Sequence, residues 1–167
     1  CFMWPLMAKL AIEAKENKLA WNMRGVRVIV MYPMNALVSD QISRLRRLIG
    51  DKEKKFIKSF RKSCGNEVRR PTFGMYTGRT PYPGVKPSET QDRMLERTLR
   101  RLSFPETEEE KTFFEQLQIE GKVPAKEDMQ SFLEGLHNGR HIPNEEDAEL
   151  ITRFEMQQFC PDILITN

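Results

Sequence analysis

The chain has 167 residues, 39% of them apolar and 31% charged, with a net charge of +3. That balance fits one soluble domain with long solvated helices, and no apolar run approaches the roughly 20 residues that a membrane-spanning helix needs. Cys1, Cys64 and Cys160 lie far apart with no CxxC, which argues for a reducing compartment and against a disulfide framework or a zinc site.

The opening CFMWPLMAKL is apolar, but no basic segment precedes it and no small-residue cleavage site follows, so a signal peptide is not expected. The chain starts on Cys1 and ends on the strand-like DILITN, and both ends read as cuts in a longer polypeptide. Residues 3–20 are expected to form a helix, with Met3, Leu6, Met7, Leu10, Ile12 and Leu19 apolar and Lys9, Glu13, Lys15 and Glu16 wet. A turn over residues 22–25 leads into a strand at 26–32. Its apolar run is nearly continuous, as expected where both faces of a sheet are covered. Val38, Ile42, Leu45 and Leu48 then stripe a helix from Asn35 to about Ile49, which Gly50 and Asp51 end.

A second basic segment, 52–62, offers Phe56, Ile57 and Phe60 as contacts, and a short strand is expected over 72–76, stopping at Thr77-Gly78. RTPYPGVKP, residues 79–87, is a Pro/Gly-rich loop. From Ser88 to Phe159 the pattern predicts four helices and no strand. The first is 89–102 with Ser88 as N-cap, and the second opens on a Thr107/Glu110 capping box. The third is PAKEDMQSFLEGLHNG. The fourth is PNEEDAELITRFEMQQF, capped by Asn144 with acids in its first turn. Pro161 breaks the chain and DILIT closes it as a buried strand. The alternation of helices and strands predicts an α/β fold with a parallel sheet and right-handed crossovers.

Charge is unevenly distributed. Residues 44–70 hold eleven Lys or Arg against three acids, a net of +8, whereas residues 106–158 hold five against fourteen, a net of −9. One reading gives a polyanion one face and reserves the other; the plainer reading is two solvated faces of opposite sign. His137 and His141 stand at i, i+4, but Gly139 lies between them and no Cys or carboxylate pattern completes a metal site, so they read as loop histidines.

In parallel sheets, ligands collect at the carboxyl ends of the strands. Three stretches are expected there: YPMNA, YTGRTPYPG and CPDILITN. At the first, a helix start offers unpaired N–H groups, Asn35 and Ser39 add side-chain hydrogen bonds, and Arg44 reaches further along. At the second, Thr77 supplies a hydroxyl, Gly78 lets a backbone approach, and Arg79 adds a cation. Such a row suits successive phosphates of one strand and reads no bases.

VIVMYPMNALVSDQISRLRRL resembles motif Ia of superfamily 2 helicases of the bacterial DEAD/DEAH-box-like type. YTGRTP resembles the strand-end Gly motif that follows it, and CPDILITN resembles motif Ib with its strand. CFMWPLMAKL is similar to the helix that follows the nucleotide-binding P-loop. The likeness covers residues 1–80 and 155–167, and YPMNALVSDQ is its specific part. It implies most of a first RecA-like domain, cut between the P-loop and the Asp-Glu box. Residues 1–87 and 159–167 would be RecA-like core, and 88–158 an acidic helical insertion.

Pro33, Asn35, Ser39, Thr77, Gly78, Arg79, Pro161 and Asp162 would line a nucleic-acid track, with Arg44 nearby. No G-x-x-x-x-G-K-[ST] and no Asp-Glu box is present. ATP and Mg2+ would therefore bind the parent protein through residues outside this stretch, which holds no catalytic residue and would be inactive alone. Cys160 stands where Thr is usual, which puts that hydroxyl–phosphate contact in doubt. The expected function is a fragment of a cytoplasmic ATP-dependent helicase or translocase motor. Its partners would be single- or double-stranded nucleic acid, DNA favoured over RNA, and the rest of the helicase polypeptide, with no membrane. Two alternatives stand beside it: a non-motor nucleic-acid-binding module, and an interaction scaffold that docks a protein on the helical insertion.

Overall fold

The computed structural model describes residues 2–33, 35–81, 89–137 and 142–167. The chain begins with two helices, α1 (Met3–Glu16) and α2 (Lys18–Asn22). The expected single helix is split because the Asn17 side chain accepts from Ala20 N, at 3.1 Å, and so caps a second helix. The split helix buries Trp21 completely.

Among the described residues, four strands form one all-parallel sheet: β1 (Val28–Met31), β2 (Phe73–Tyr76), β3 (Glu149–Leu150) and β4 (Ile163–Thr166), in the order β1-β4-β2-β3. Between β1 and β2 run α3 (Asn35–Leu48) and α4 (Lys55–Cys64). Between β2 and β3 run α5 (Glu89–Ser103), α6 (Glu108–Ile119) and α7 (Met129–His137), and α8 (Arg153–Phe159) links β3 to β4. The α/β class with a parallel sheet and flanking helices is therefore as the sequence predicts, in a layout consistent with a partial RecA-like sheet.

The register puts Val28, Val30, Ile163, Ile165, Phe73 and Met75 on one face. That face meets Val38, Ile42 and Leu45 of α3 and Leu10 of α1 in the main core. The opposite face is covered over β2 by α8. Gly74 permits this, since a Cβ there would come within 2.6 Å of Met156 Sδ. At β1 that face is open. Ile29 is 59% and Met31 72% exposed, so the strand expected to be buried on both sides is an edge strand with one dry face.

The largest departure lies in residues 143–159. One long helix capped by Asn144 is expected; instead a turn, β3 and the short α8 occupy this stretch. Asn144 Oδ1 accepts from Glu146 N, a local turn rather than a helix cap. The acids that mimic a helix start are held by cations elsewhere: Glu146 by Arg61, Asp147 and Glu155 by Lys126, and Glu149 by Arg46. α8 begins only after Thr152, which forms a capping box with Glu155. The stretch expected to hold only helices thus supplies a strand to the sheet. The Thr107/Glu110 box of α6 is present as expected. The Ser88 cap, the loop from residue 82 onward and His141 lie outside the described residues, as does the side chain of His137. No helix among the described residues is long and apolar enough to cross a membrane.

Candidate nucleic-acid interface

Because all strands run the same way, the sheet has one amino edge and one carboxyl edge, and the expected site residues divide between them. At the carboxyl edge, β4 stands between β1 and β2. The tips of β1 and β2 are two strand spacings apart, about 10 Å. Pro33, exposed, follows β1, and α3 opens at Asn35, whose side chain is outside the described residues. Ser39 and Arg44 are exposed on α3, and Arg44 pairs with Asp40 at 2.8 Å.

Thr77, Gly78 and Arg79 follow β2. Thr77 is buried: its Oγ1 accepts from Arg79 N at 3.2 Å and its carbonyl accepts from Thr80 N at 3.1 Å. Thr80 Oγ1 in turn accepts from Thr77 N and donates to Met75 O, at 2.8 and 2.7 Å. The hydroxyl expected to face a phosphate therefore closes its own turn. Gly78 and Arg79 are exposed, and a Cβ on Gly78 would meet no atom within 4 Å. Arg79 has no ion-pair partner among the described residues.

Pro161 and Asp162 are not on this edge. Both are buried, and both precede β4, so they sit at the amino edge. Arg27, Thr72 and Asp162 each come one residue before their own strand, and the parallel register gathers them. Asp162 Oδ1 accepts from Arg27 Nη1 at 2.8 Å and from Arg69 Nη2 at 2.7 Å; Oδ2 accepts from Arg69 Nη1 at 2.7 Å and Thr72 N at 2.9 Å. Its carbonyl accepts from Arg27 N and Val28 N. Both guanidiniums also lie within 5 Å of the Trp21 ring centroid. A carboxylate so enclosed offers a phosphate nothing and would repel it. Within CPDILITN, the residues that reach the carboxyl edge are instead Thr166 and Asn167. Thr166 Oγ1 donates to Tyr76 O at 2.7 Å, tying the β4 tip to the β2 tip. Sequence reading placed the whole motif at a strand end, although residues before an apolar run lie at its start.

The basic block is also divided. Four of its arginines turn inward: Arg46 forms a two-pronged pair with Glu149 at 2.7 Å per bond, Arg61 meets Glu146 at 2.5 Å, Arg69 meets Asp162, and Arg70 donates to Ile49 O and Glu146 O, whereas Arg44 and Arg47 are exposed. Lys52, Lys55, Lys58 and Lys62 stay exposed. Opposite blocks of charge therefore clamp one segment to the other, and only part of the +8 faces water. Burial lowers the pKa of Arg70, and the Arg61 hydrogen bond holds the Glu146 carboxyl below its ordinary range. A concavity of about 1190 Å³ between the end of α3, the start of α4 and α6 mixes Lys54 and Arg46 with Glu115 and Glu127. It lies at the end of α3 remote from the β1 tip, and its charges are partly matched, as in the Lys54–Glu127 pair.

Compared with curated proteins, the chain is 38% identical over 186 residues to Druantia protein DruE of Escherichia coli (strain UMEA 4076-1). The alignment takes in 99% of this chain and 10% of that protein, so the chain spans about a tenth of the relative's length. No family model and no solved structure matches the chain.

Proposed function

We propose that this chain is part of the motor domain of an ATP-dependent helicase or translocase, and that the carboxyl edge of its sheet carries the sugar–phosphate backbone of a nucleic acid, DNA in preference to RNA. The observation that carries this reading is the row formed by the tips of β1, β4 and β2. The motif Ia-like and Gly-motif stretches fall on two of these tips, with the start of α3 and the exposed Arg79 beside them. ATP and Mg2+ would be held by residues elsewhere in a longer, cytoplasmic polypeptide. Backbone contact of this kind has little base preference and strong salt dependence.

The test is a titration of labelled single-stranded DNA against the full-length protein over a range of salt, with ATP hydrolysis followed in parallel. Steeply salt-dependent binding together with DNA-stimulated hydrolysis is expected; hydrolysis indifferent to any nucleic acid would remove the proposal. The scaffold reading keeps one specific support. α6 has no buried residue, and its Phe113 and Ile119 are 59% and 75% exposed among glutamates. Under that reading, Phe113→Ser with Ile119→Ser would abolish association with a protein partner and leave DNA binding unchanged.

A further inference from the structure

We infer that Arg153, the first residue of α8, is the positioning residue for the turn that carries Arg79, and that through it the segment between β2 and β4 sets the geometry of the carboxyl edge. This rests on reading that edge as a backbone track. The turn at residues 77–80 shapes itself with the two threonine hydroxyls, but those bonds reach only its own strand and loop. Among the described residues, the hydrogen bonds that tie residues 77–81 to another element come from Arg153. Its Nη2 donates to Thr77 O at 2.9 Å and its backbone N donates to Pro81 O at 2.9 Å. Its guanidinium lies 5.3 Å from the Tyr76 ring centroid, one residue before the turn. The Nε is buried without a partner, a cost that restricts where the guanidinium can point. A planar guanidinium can stack on Tyr76 and reach the Thr77 carbonyl together, which an ammonium cannot.

α8 is itself fixed from behind. Thr152 Oγ1 accepts from Glu155 N at 3.1 Å, while Glu155 Oε2 accepts from Ile151 N and Thr152 N at 2.9 and 3.0 Å. The other Glu155 oxygen takes the Lys126 ammonium, which also donates to Asp147 Oδ2 at 3.0 Å; the side chains of Lys126 and Glu155 are fully buried. Separating those charges inside the fold is expensive, so a displacement of Lys126 and Asp147 moves the first turn of α8 rather than breaking the pairs. Arg153 then passes that movement to the Thr77 carbonyl, and Arg79 lies two residues further on. Sequence reading missed Arg153 because it stood in the middle of an expected helix.

The experiment uses the full-length protein with labelled oligo-dT at several salt concentrations, and compares Arg79→Ala, Arg153→Ala, Arg153→Lys and the Arg79→Ala/Arg153→Ala pair. Arg79→Ala should lower the salt slope by about 0.7, the value for one phosphate on a single strand. Arg153→Ala should cause a comparable loss, the pair should bind no worse than about twofold below Arg79→Ala, and Arg153→Lys should recover part of the affinity by keeping a donor for Thr77 O. Amide exchange at Arg79 and Thr80 should quicken about tenfold in Arg153→Ala while Phe73 and Ile163 stay protected. Additive losses with two contacts' worth of slope would make Arg153 a phosphate ligand and overturn the positioning role, as would exchange unchanged from the parent. If Arg79→Ala binds like the parent protein, the track reading falls, and the exchange experiment still decides whether Arg153 holds the turn.

Discussion

The two edges of this sheet are made by the same four strands and do opposite things. At the amino edge, Arg27, Thr72 and Asp162 close around one another, and the Asp162 oxygens accept from two guanidiniums and a backbone N–H. At the carboxyl edge, Pro33, Gly78 and Arg79 remain in water. A row of polar groups at strand ends is thus a fastening when it is enclosed and completed by carboxylates; where its cations face outward, as at the carboxyl edge, it is open to solvent and is the edge we propose as a binding surface. The residue types alone do not distinguish the two; the direction of the strand does.

The sharpest way to test the contrast is to damage the enclosed edge. Asp162→Asn removes a buried charge that two partly buried arginines share, and is expected to cost about 3 kcal/mol or more of stability, read as a lower urea midpoint. A loss no greater than that of a surface substitution would deny the amino edge its fastening role. The pairing of opposite charge blocks is a milder case. The Arg61 hydrogen bond depresses the Glu146 pKa in the fold, so its contribution to stability is present above the ordinary value of 4.5 and is lost as pH falls through the depressed folded value. Urea midpoints of the parent and Glu146→Gln should therefore differ near pH 7 and converge on acidification below 4.5. A gap that does not change with pH would show that the carboxylate's charge is irrelevant there.

Much of the fold could be read from local pattern, and the failures share a cause. The stripe of Val38, Ile42 and Leu45, the Thr107/Glu110 box and the DILIT strand are local signals that packing left intact. The residues around 144–150 were misread because acids near an Asn look like a helix start, whereas Asp147 and Glu149 answer Lys126 and Arg46, 21 and 103 residues away. Thr152 with Glu155 had the same capping-box spacing as Thr107 with Glu110 and could have located α8. Within the site, the loop after β2 was legible because Thr-Gly marks a strand end. Asp162 precedes the apolar run of β4 and so falls at the amino edge, a direction that the likeness of CPDILITN to a motif does not carry. Arg153 left no trace, since its partner is a backbone carbonyl 76 residues distant.

The outward edge can be probed with smaller changes. Arg79 is exposed and pairs with no carboxylate among the described residues, so Arg79→Ala should leave the urea midpoint within experimental error, the usual result for a surface substitution, even where DNA binding declines. A clear loss of stability would move Arg79 into the fastening class.

Arg44 lies between the two cases. It is about half exposed and shares its charge with Asp40 one helical turn away, at 2.8 Å. Such an exposed pair contributes about 0.3–0.5 kcal/mol to the helix, so freeing the arginine costs little. Asp40→Asn should therefore strengthen binding of single-stranded DNA modestly and steepen its salt slope, because a cation held by a carboxylate becomes available to a phosphate. Arg44→Ala should do the reverse, with a smaller loss than Arg79→Ala because its charge starts half matched. If Asp40→Asn leaves both affinity and slope where they were, Arg44 lies off the path of the backbone, and the surface in contact with DNA ends before the second turn of α3.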